Sequence, residues 1–279
     1  FLAYILSTIL VKPLARVTKA IEDLTDGYQQ DEICVPDYTE TELITDAFNK
    51  MLARMKVLDE SRSEFVSNVS HELKTPMTSM KVLADSLVGQ QGVPEELYQE
   101  FMHDITAEID RENRIITDLL TLVKMDKKNA DLQIQHMSIN QLLEDILKRL
   151  RPIADKRSID LILDSFRPVE ADVDELKFTS AISNLVENAI KYNVDDGWVR
   201  VSLDADHKYF YVTVADSGMG IPEDSLSRIF ERFYRVDKSH SREIGGTGLG
   251  LAITRSTIGM HHGVITVSYT HLRAHETDS

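Results

Sequence analysis

The stretch FVSNVSHELKTP, residues 65–76, sets the reading of the chain around it. As a helix it places Phe65, Val69 and Leu73 on one apolar stripe, while His71 lies two residues, roughly 200°, from both Val69 and Leu73. His71 therefore faces away from the stripe, toward solvent. Glu72 beside it can hold one ring nitrogen as N–H and leave the other unprotonated as a nucleophile, and Thr75 falls one turn further along the same surface. Pro76 has no N–H for the carbonyl of Glu72, which predicts a local bend where the polar cluster sits. A single surface histidine is also ordinary solvent decoration, so the reading needs a matching site elsewhere in the chain.

The 279 residues are 42% apolar and 28% charged, which suits one or two compact domains with helical extensions. A net charge of −15 leaves no basic stripe to neutralise phosphates and argues against nucleic acid as a partner. Cys34 is the only cysteine, which excludes a disulfide framework and Cys-based zinc sites and fits a reducing cytosol; it reads as a small structural hydrophobe.

The chain opens on FLAYILSTILV, eleven mostly apolar residues before Lys12, where a membrane span needs about twenty. Two readings are open, a buried helix start or the inner end of a transmembrane helix, and Lys12 and Arg16 follow as a positive-inside flank would. Next, Leu14, Val17, Ile21 and Leu24 repeat at helical spacing up to Gly27. After a polar connector with Pro36, the stripe resumes at Ile44, Phe48, Met51, Met55 and Leu58. Two short amphipathic helices cannot bury these stripes alone but can do so as a parallel four-helix bundle in a dimer. With Pro13 near the entry and Glu42-Leu43 opening the second helix, this arrangement resembles a HAMP linker, although an ordinary helical hairpin shows the same periodicity.

No Gly or Pro interrupts residues 40–74, so one rod is expected to run from the linker to His71 and on through Met80, Leu83 and Leu87. GQQGVP, residues 89–94, signals a helical hairpin. A return helix follows from Glu95 with Ile105, Ile109, Ile116, Leu119, Leu120 and Val123 on its apolar side. Two antiparallel helices have too little core, and pairing into a four-helix dimer is the expected solution.

From Ser138 the pattern becomes mixed α and β: a helix with Leu142, Leu143, Ile146, Leu147 and Leu150, strands over 159–163, 198–203 and 209–215, and a helix over 174–192. Four clusters here carry chemistry. NLVENAIKY sets Asn184 and Asn188 one turn apart with Lys191 near the same face: carboxamide oxygens for a hard cation, an ammonium for phosphate, or a plain polar helix face. Asp216-Ser217-Gly218-Met219-Gly220 follows a strand and offers a carboxylate that can accept from an adenine amino group, with glycines that allow close backbone approach; alone it is also a common turn. IFERFYRV, residues 229–236, has Phe230 and Phe233 as anchors and Arg232 and Arg235 for triphosphate oxygens. GGTGLGL, residues 245–251, feeds a helix N-terminus, an anion cradle that is neither a Walker loop nor a dinucleotide-fold turn.

HELKTP preceded by FVSNVS resembles the phosphoacceptor box of bacterial sensor histidine kinases, in which the histidine takes the γ-phosphoryl of ATP. The four later clusters, in this order and spacing, resemble the N, G1, F and G2 boxes of that family's catalytic domain, a Bergerat ATP-binding fold. The resemblance implies a multidomain chain: α-helical HAMP linker, dimeric four-helix-bundle phosphoacceptor domain, then an α/β-sandwich (α+β) ATP-binding domain. The implied divisions are the end of a truncated transmembrane helix (1–12), the linker (13–60), the dimerisation and phosphotransfer domain (61–126), a polar hinge (127–137), the catalytic domain (138–268) and an atypical tail (269–279).

It also implies residue roles. His71 is the nucleophile, Glu72 orients or deprotonates it, and Thr75 positions water for the reverse phosphatase reaction. Asn188 ligates Mg²⁺ with Asn184 beside it, Lys191 and Arg235 approach the phosphates of ATP, and Asp216 receives adenine. Gly218, Gly220, Gly246, Gly248 and Gly250 shape the pocket and lid, and Tyr192, Thr247 and Leu249 complete the nucleotide-binding set. The implied partners are a response-regulator receiver domain, a second copy of the chain, and the bacterial cell membrane with these domains on its cytoplasmic side. A phosphatase-dominant relay without autokinase activity, or a chaperone- or topoisomerase-type ATPase on the same fold, would bind ATP without forming phosphohistidine.

The C-terminus departs from the family pattern. His261-His262-Gly263 and residues 264–268 predict a turn and a strand, but YTHLRAHETDS, residues 269–279, has no glycine turn and no alternation and reads as a disordered or foreign tail. His271 and His275 at i, i+4 lack the carboxylate or Cys partners of a metal site.

Overall fold

The computed structural model describes residues 39–88, 94–125, 132–236 and 246–268, together with Ala15, Thr18 and Lys19, which are helical. The expected membrane segment, most of the first linker helix, the 89–93 turn, residues 126–131 and the tail lie outside the described residues. The chain divides into two compact units, Phe1–Lys74 and Thr75–Ser279.

One helix, α1 (Thr39–Val88), carries the HELKTP segment and continues through Pro76. Within the first unit its stripe residues Phe65, Val69 and Leu73 are half-buried and His71 is exposed, as the four-residue spacing predicts. The upstream stripe finds little cover in a single chain: Ile44, Met51, Met55 and Leu58 are exposed.

In the second unit, α2 (Glu95–Met125) buries Ile115 and Leu122, whereas Ile109, Ile116, Leu120 and Val123 from the predicted apolar side are exposed. Ile134–Ser138, most of which falls in the stretch that reads as a polar hinge, forms strand β1. It pairs antiparallel with β3 (Glu170–Asp174), Ile134 opposite Asp174 and Ser138 opposite Glu170. The polar hinge composition concealed it because a two-stranded ribbon open to solvent needs only a few apolar residues.

Helix α3 (Ile139–Asp155) is capped by Ser138, whose hydroxyl accepts from the Gln141 N–H at 3.4 Å. Asn140 ties this start to the turn that precedes β3, donating to the Arg167 carbonyl at 2.9 Å and accepting from the Val169 N–H at 2.7 Å. Strands β2 (Asp160–Ser165), β4 (Trp198–Ala205) and β5 (Phe210–Asp216) form a sheet in the order β2-β4-β5, the first pair parallel and the second antiparallel. Alternation along β4 buries Val199, Val201 and Leu203 against α3 and α4 (Glu175–Lys191), which contribute Leu143, Ile146, Leu150, Phe178, Ile182, Val186 and Ile190. Helix α5 (Gly250–Met260) packs on α4. Its end is pinned by His261, whose Nδ1 donates to the Thr257 carbonyl at 2.8 Å and whose Nε2 accepts from the Asp174 N–H at 2.9 Å.

The strand expected over 264–268 is not formed: these residues lie in no ladder, and Val264 is exposed. Apolar alternation alone does not make a strand. It needs a neighbour to take its N–H and C=O groups, and no described strand pairs with the outer edge of β5.

Candidate active site

Helix α4 sets the geometry. Asp174 caps it by accepting from the Lys177 N–H at 3.0 Å, and Phe178, Ala181, Ile182, Val186, Ala189 and Ile190 bury one face. Asn184, Asn188 and Lys191 therefore fall on the half-buried opposite side. The Asn184 carboxamide lies against the start of α5, 3.5 Å from the Gly250 carbonyl.

At the end of α4 the chain turns through Tyr192 and Asn193 and meets the Asp216 turn. The Tyr192 carbonyl accepts from the Met219 N–H at 3.2 Å. Asn193, 4% exposed, joins the two segments: its Nδ2 donates to the Trp198 carbonyl at 3.0 Å and its Oδ1 accepts from the Ser217 hydroxyl at 2.9 Å. Gly218 is required here, since a Cβ on it would stand 2.4 Å from the Tyr192 carbonyl oxygen. Asp216 is exposed at the end of β5, one carboxylate oxygen accepting from the Gly218 N–H at 2.9 Å.

The glycine-rich segment closes on the same corner. Phe233 and Gly248, both at positive φ, approach backbone to backbone, with the Phe233 N–H donating to the Gly248 carbonyl at 2.9 Å. A Cβ on Gly246 would stand 3.2 Å from Lys191 Nζ and 3.4 Å from the Tyr192 hydroxyl. Leu249 is fully buried with Ala252, Ile253 and Leu122 of α2, and the Thr247 hydroxyl donates to the Asp118 carboxylate at 2.9 Å. A cavity of about 450 Å³ lined by Ile153, Arg157, Glu187, Ile190, Lys191, Asn193 and Met219 backs onto this corner.

Positive charge accumulates there. Burial, reinforced by Arg235, Arg114 and Arg111, pulls the Lys191 ammonium down to about 8. Burial pushes the Tyr192 hydroxyl up, with Arg235 opposing, and pushes the Asp118 carboxyl up against the bond from Thr247. Guanidinium groups held close enough to depress the Lys191 ammonium fit an anionic ligand, whose charge would restore it.

The structure thus brings together Asn184, Lys191, Tyr192, the Asp216–Gly220 turn, Arg235 and residues 246–250. Asn188 shares the α4 face. His71 and Glu72 lie in the first unit, where His71 is exposed and Glu72 half-buried; Thr75 is exposed at the start of the second. Sequence reasoning missed Asn193, Ser217, Arg114 and Asp118. Asn193 abuts a recognised motif and Ser217 lies inside one without a role read for it, but nothing local marks Arg114 or Asp118.

Comparison with known proteins supplies the decisive observation. Residues 61–128 match the His Kinase A (phospho-acceptor) domain, and residues 173–278 match the histidine kinase-, DNA gyrase B- and HSP90-like ATPase. The chain belongs to the sensor histidine kinases. It is 34% identical over 211 residues to the sensor histidine kinase WalK of Bacillus subtilis (strain 168), covering 75% of this chain and 34% of WalK. It is 33% identical over 256 residues to the heme sensor protein HssS of Staphylococcus aureus (strain Newman), covering 92% of this chain and 54% of HssS. The chain therefore spans about half or less of the length of these curated relatives. Its fold is shared with histidine kinase ThkA, solved in complex with response regulator protein TrrA, at a TM-score of 0.60 and 24% identity over 76% of this chain and 57% of that one.

Proposed function

We propose that this chain is the kinase portion of a dimeric transmembrane sensor histidine kinase, in which ATP phosphorylates His71 and the phosphoryl group passes to an aspartate on a response-regulator receiver domain. The observation that carries the reading is the cationic corner of Lys191 and Arg235 beside Gly246, in a chain whose HELKTP helix exposes His71. A triphosphate offsets that charge, Gly246 leaves room for it, and the exposed Asp216 carboxylate is free in direction to accept from an adenine amino group.

Asn188 offers a neutral oxygen for Mg²⁺. Among the described residues no three His, Cys, Asp or Glu side chains cluster as a metal cage. That fits an ion held mainly by substrate phosphates and water. When bound, it would neutralise charge on the phosphate oxygens. In the transfer, the unprotonated ring nitrogen of His71 bonds to the γ-phosphorus while the bond to the bridging oxygen breaks and ADP leaves. Glu72 orients the ring or takes its proton. Thr75 positions water for hydrolysis of the regulator's phosphoaspartate.

The regulator assignment is supported by the ThkA–TrrA complex. The exposed Ile109, Ile116, Leu120 and Val123 on α2 support a second copy of the chain as the cover for that face, completing a four-helix bundle. The apolar start of the chain supports membrane anchoring through the HAMP-like linker, with the domains here cytoplasmic. Incubation with [γ-³²P]ATP tests the proposal: wild-type chain should acquire acid-labile label, and His71→Gln should acquire none while binding nucleotide normally. Label retained in His71→Gln would refute the assignment of His71.

A further inference from the structure

We infer that Arg157 is a positioning residue for nucleotide binding, fixing the corner from which Lys191 and Tyr192 enter the site; the inference rests on the nucleotide reading above. Helix α4 ends at Lys191, and the last carbonyls of a helix have no partner within it. Arg157, just past the end of α3, supplies one. Its Nη1 donates to the carbonyls of Ile190 and Lys191, each at 2.9 Å, its Nη2 to the carbonyl of Asn193 at 2.8 Å, and its Nε to the Asp195 carboxylate at 3.0 Å.

A planar guanidinium making these bonds at once fixes the direction of the backbone, and a cation at a helix C-terminus is favoured by the helix dipole. The same segment is tied on its other side to the Asp216 turn, through Tyr192 to Met219 and through Asn193 to Ser217. Arg157 thus governs, by holding this backbone segment, the placement of the Lys191 and Tyr192 side chains and of the turn that carries Asp216. The exposed carboxylate of Asp195 is the lesser partner, since its side chain is 76% exposed.

The test compares the affinity of the full chain for a fluorescent trinitrophenyl-ATP with its melting temperature in the absence of nucleotide. Arg157→Gln should weaken binding by about tenfold or more, the scale of one lost charge-assisted hydrogen bond. Arg157→Lys should recover part of that loss, and Asp195→Asn should stay within about twofold of wild type. Arg167→Gln, which removes a 2.7 Å ion pair with Asp204 between the β2–β3 turn and β4, serves as the control and should leave affinity unchanged. Unchanged affinity in folded Arg157→Gln would overturn the inference, whatever its melting temperature. If that variant does not fold, unchanged affinity in Arg157→Lys overturns it equally. A wild-type chain that fails to bind the analogue would overturn the nucleotide reading itself, and this inference with it.

Discussion

Gly218→Ala probes the meeting of the α4 corner and the Asp216 turn at its tightest point. The added Cβ would lie 2.4 Å from the Tyr192 carbonyl oxygen, 2.8 Å from an Asp216 carboxylate oxygen and 3.1 Å from Asn193 Cα, where ordinary contact begins at 3.4 Å. Two of the three obstacles are backbone, so the segments must part by about 1 Å (3.4 minus 2.4). The 3.2 Å bond from Met219 N–H to the Tyr192 carbonyl then passes out of reach. Losing one such bond costs about 0.5–1.5 kcal/mol, and overpacking a close contact about 1–3 kcal/mol, so destabilisation of about 1.5–4.5 kcal/mol is expected. Nucleotide affinity should fall by about ten- to a hundredfold, because misplacing a contact group by about 1 Å has consequences of that size.

The matched control is Gly259→Ala. Nothing lies within 4 Å of its would-be Cβ, and it sits in helix α5. Alanine there should stabilise by about 0.5–1 kcal/mol and leave binding alone. Isothermal titration with a non-hydrolysable ATP analogue and thermal denaturation read both effects. Gly218→Ala binding within twofold of wild type at an unchanged melting temperature would refute the reasoning about this corner.

Two further outcomes follow from the site. Lys191 has a folded-state value of about 8 against an ordinary 10.5, so between these values the unfolded chain binds more protons than the folded one; stability without nucleotide should rise with pH across that window, while nucleotide affinity falls as pH passes 8. Lys191→Met should flatten both dependences in denaturation and binding titrations, and an unchanged slope would remove Lys191 from the site. For the phosphoacceptor helix, Thr75→Ala should keep autophosphorylation and lose dephosphorylation of a phosphorylated regulator, whereas Glu72→Ala should impair autophosphorylation; normal phosphatase activity in Thr75→Ala would refute the division of roles.

Much of the fold was legible because its signals are local. The four-residue spacing of Phe65, Val69 and Leu73 placed His71 on the exposed side of α1, and the face shared by Asn184, Asn188 and Lys191 followed from helical periodicity. The two misreadings also have local causes. IQHMS carries too few apolar residues to announce β1, which exists because β3 is there to pair with it. Residues 264–268 alternate like a strand yet join no ladder, since hydrogen-bonding partners, not side-chain pattern, decide whether a strand forms.

The sequence by itself determined most of the element types, the exposed histidine and the order of the polar and glycine-rich motifs, all properties of residues within a few turns of one another. Only the tertiary structure decided what those motifs meet. It set Thr247 against Asp118, 129 residues away, gathered Arg111, Arg114 and Arg235 around Lys191, and closed the end of α4 with Arg157. These contacts join distant segments whose spacing in the chain carries no periodic signal. The field at Lys191 and the rigidity of its corner exist only once burial excludes water and forces unpaired carbonyls and like charges to find partners.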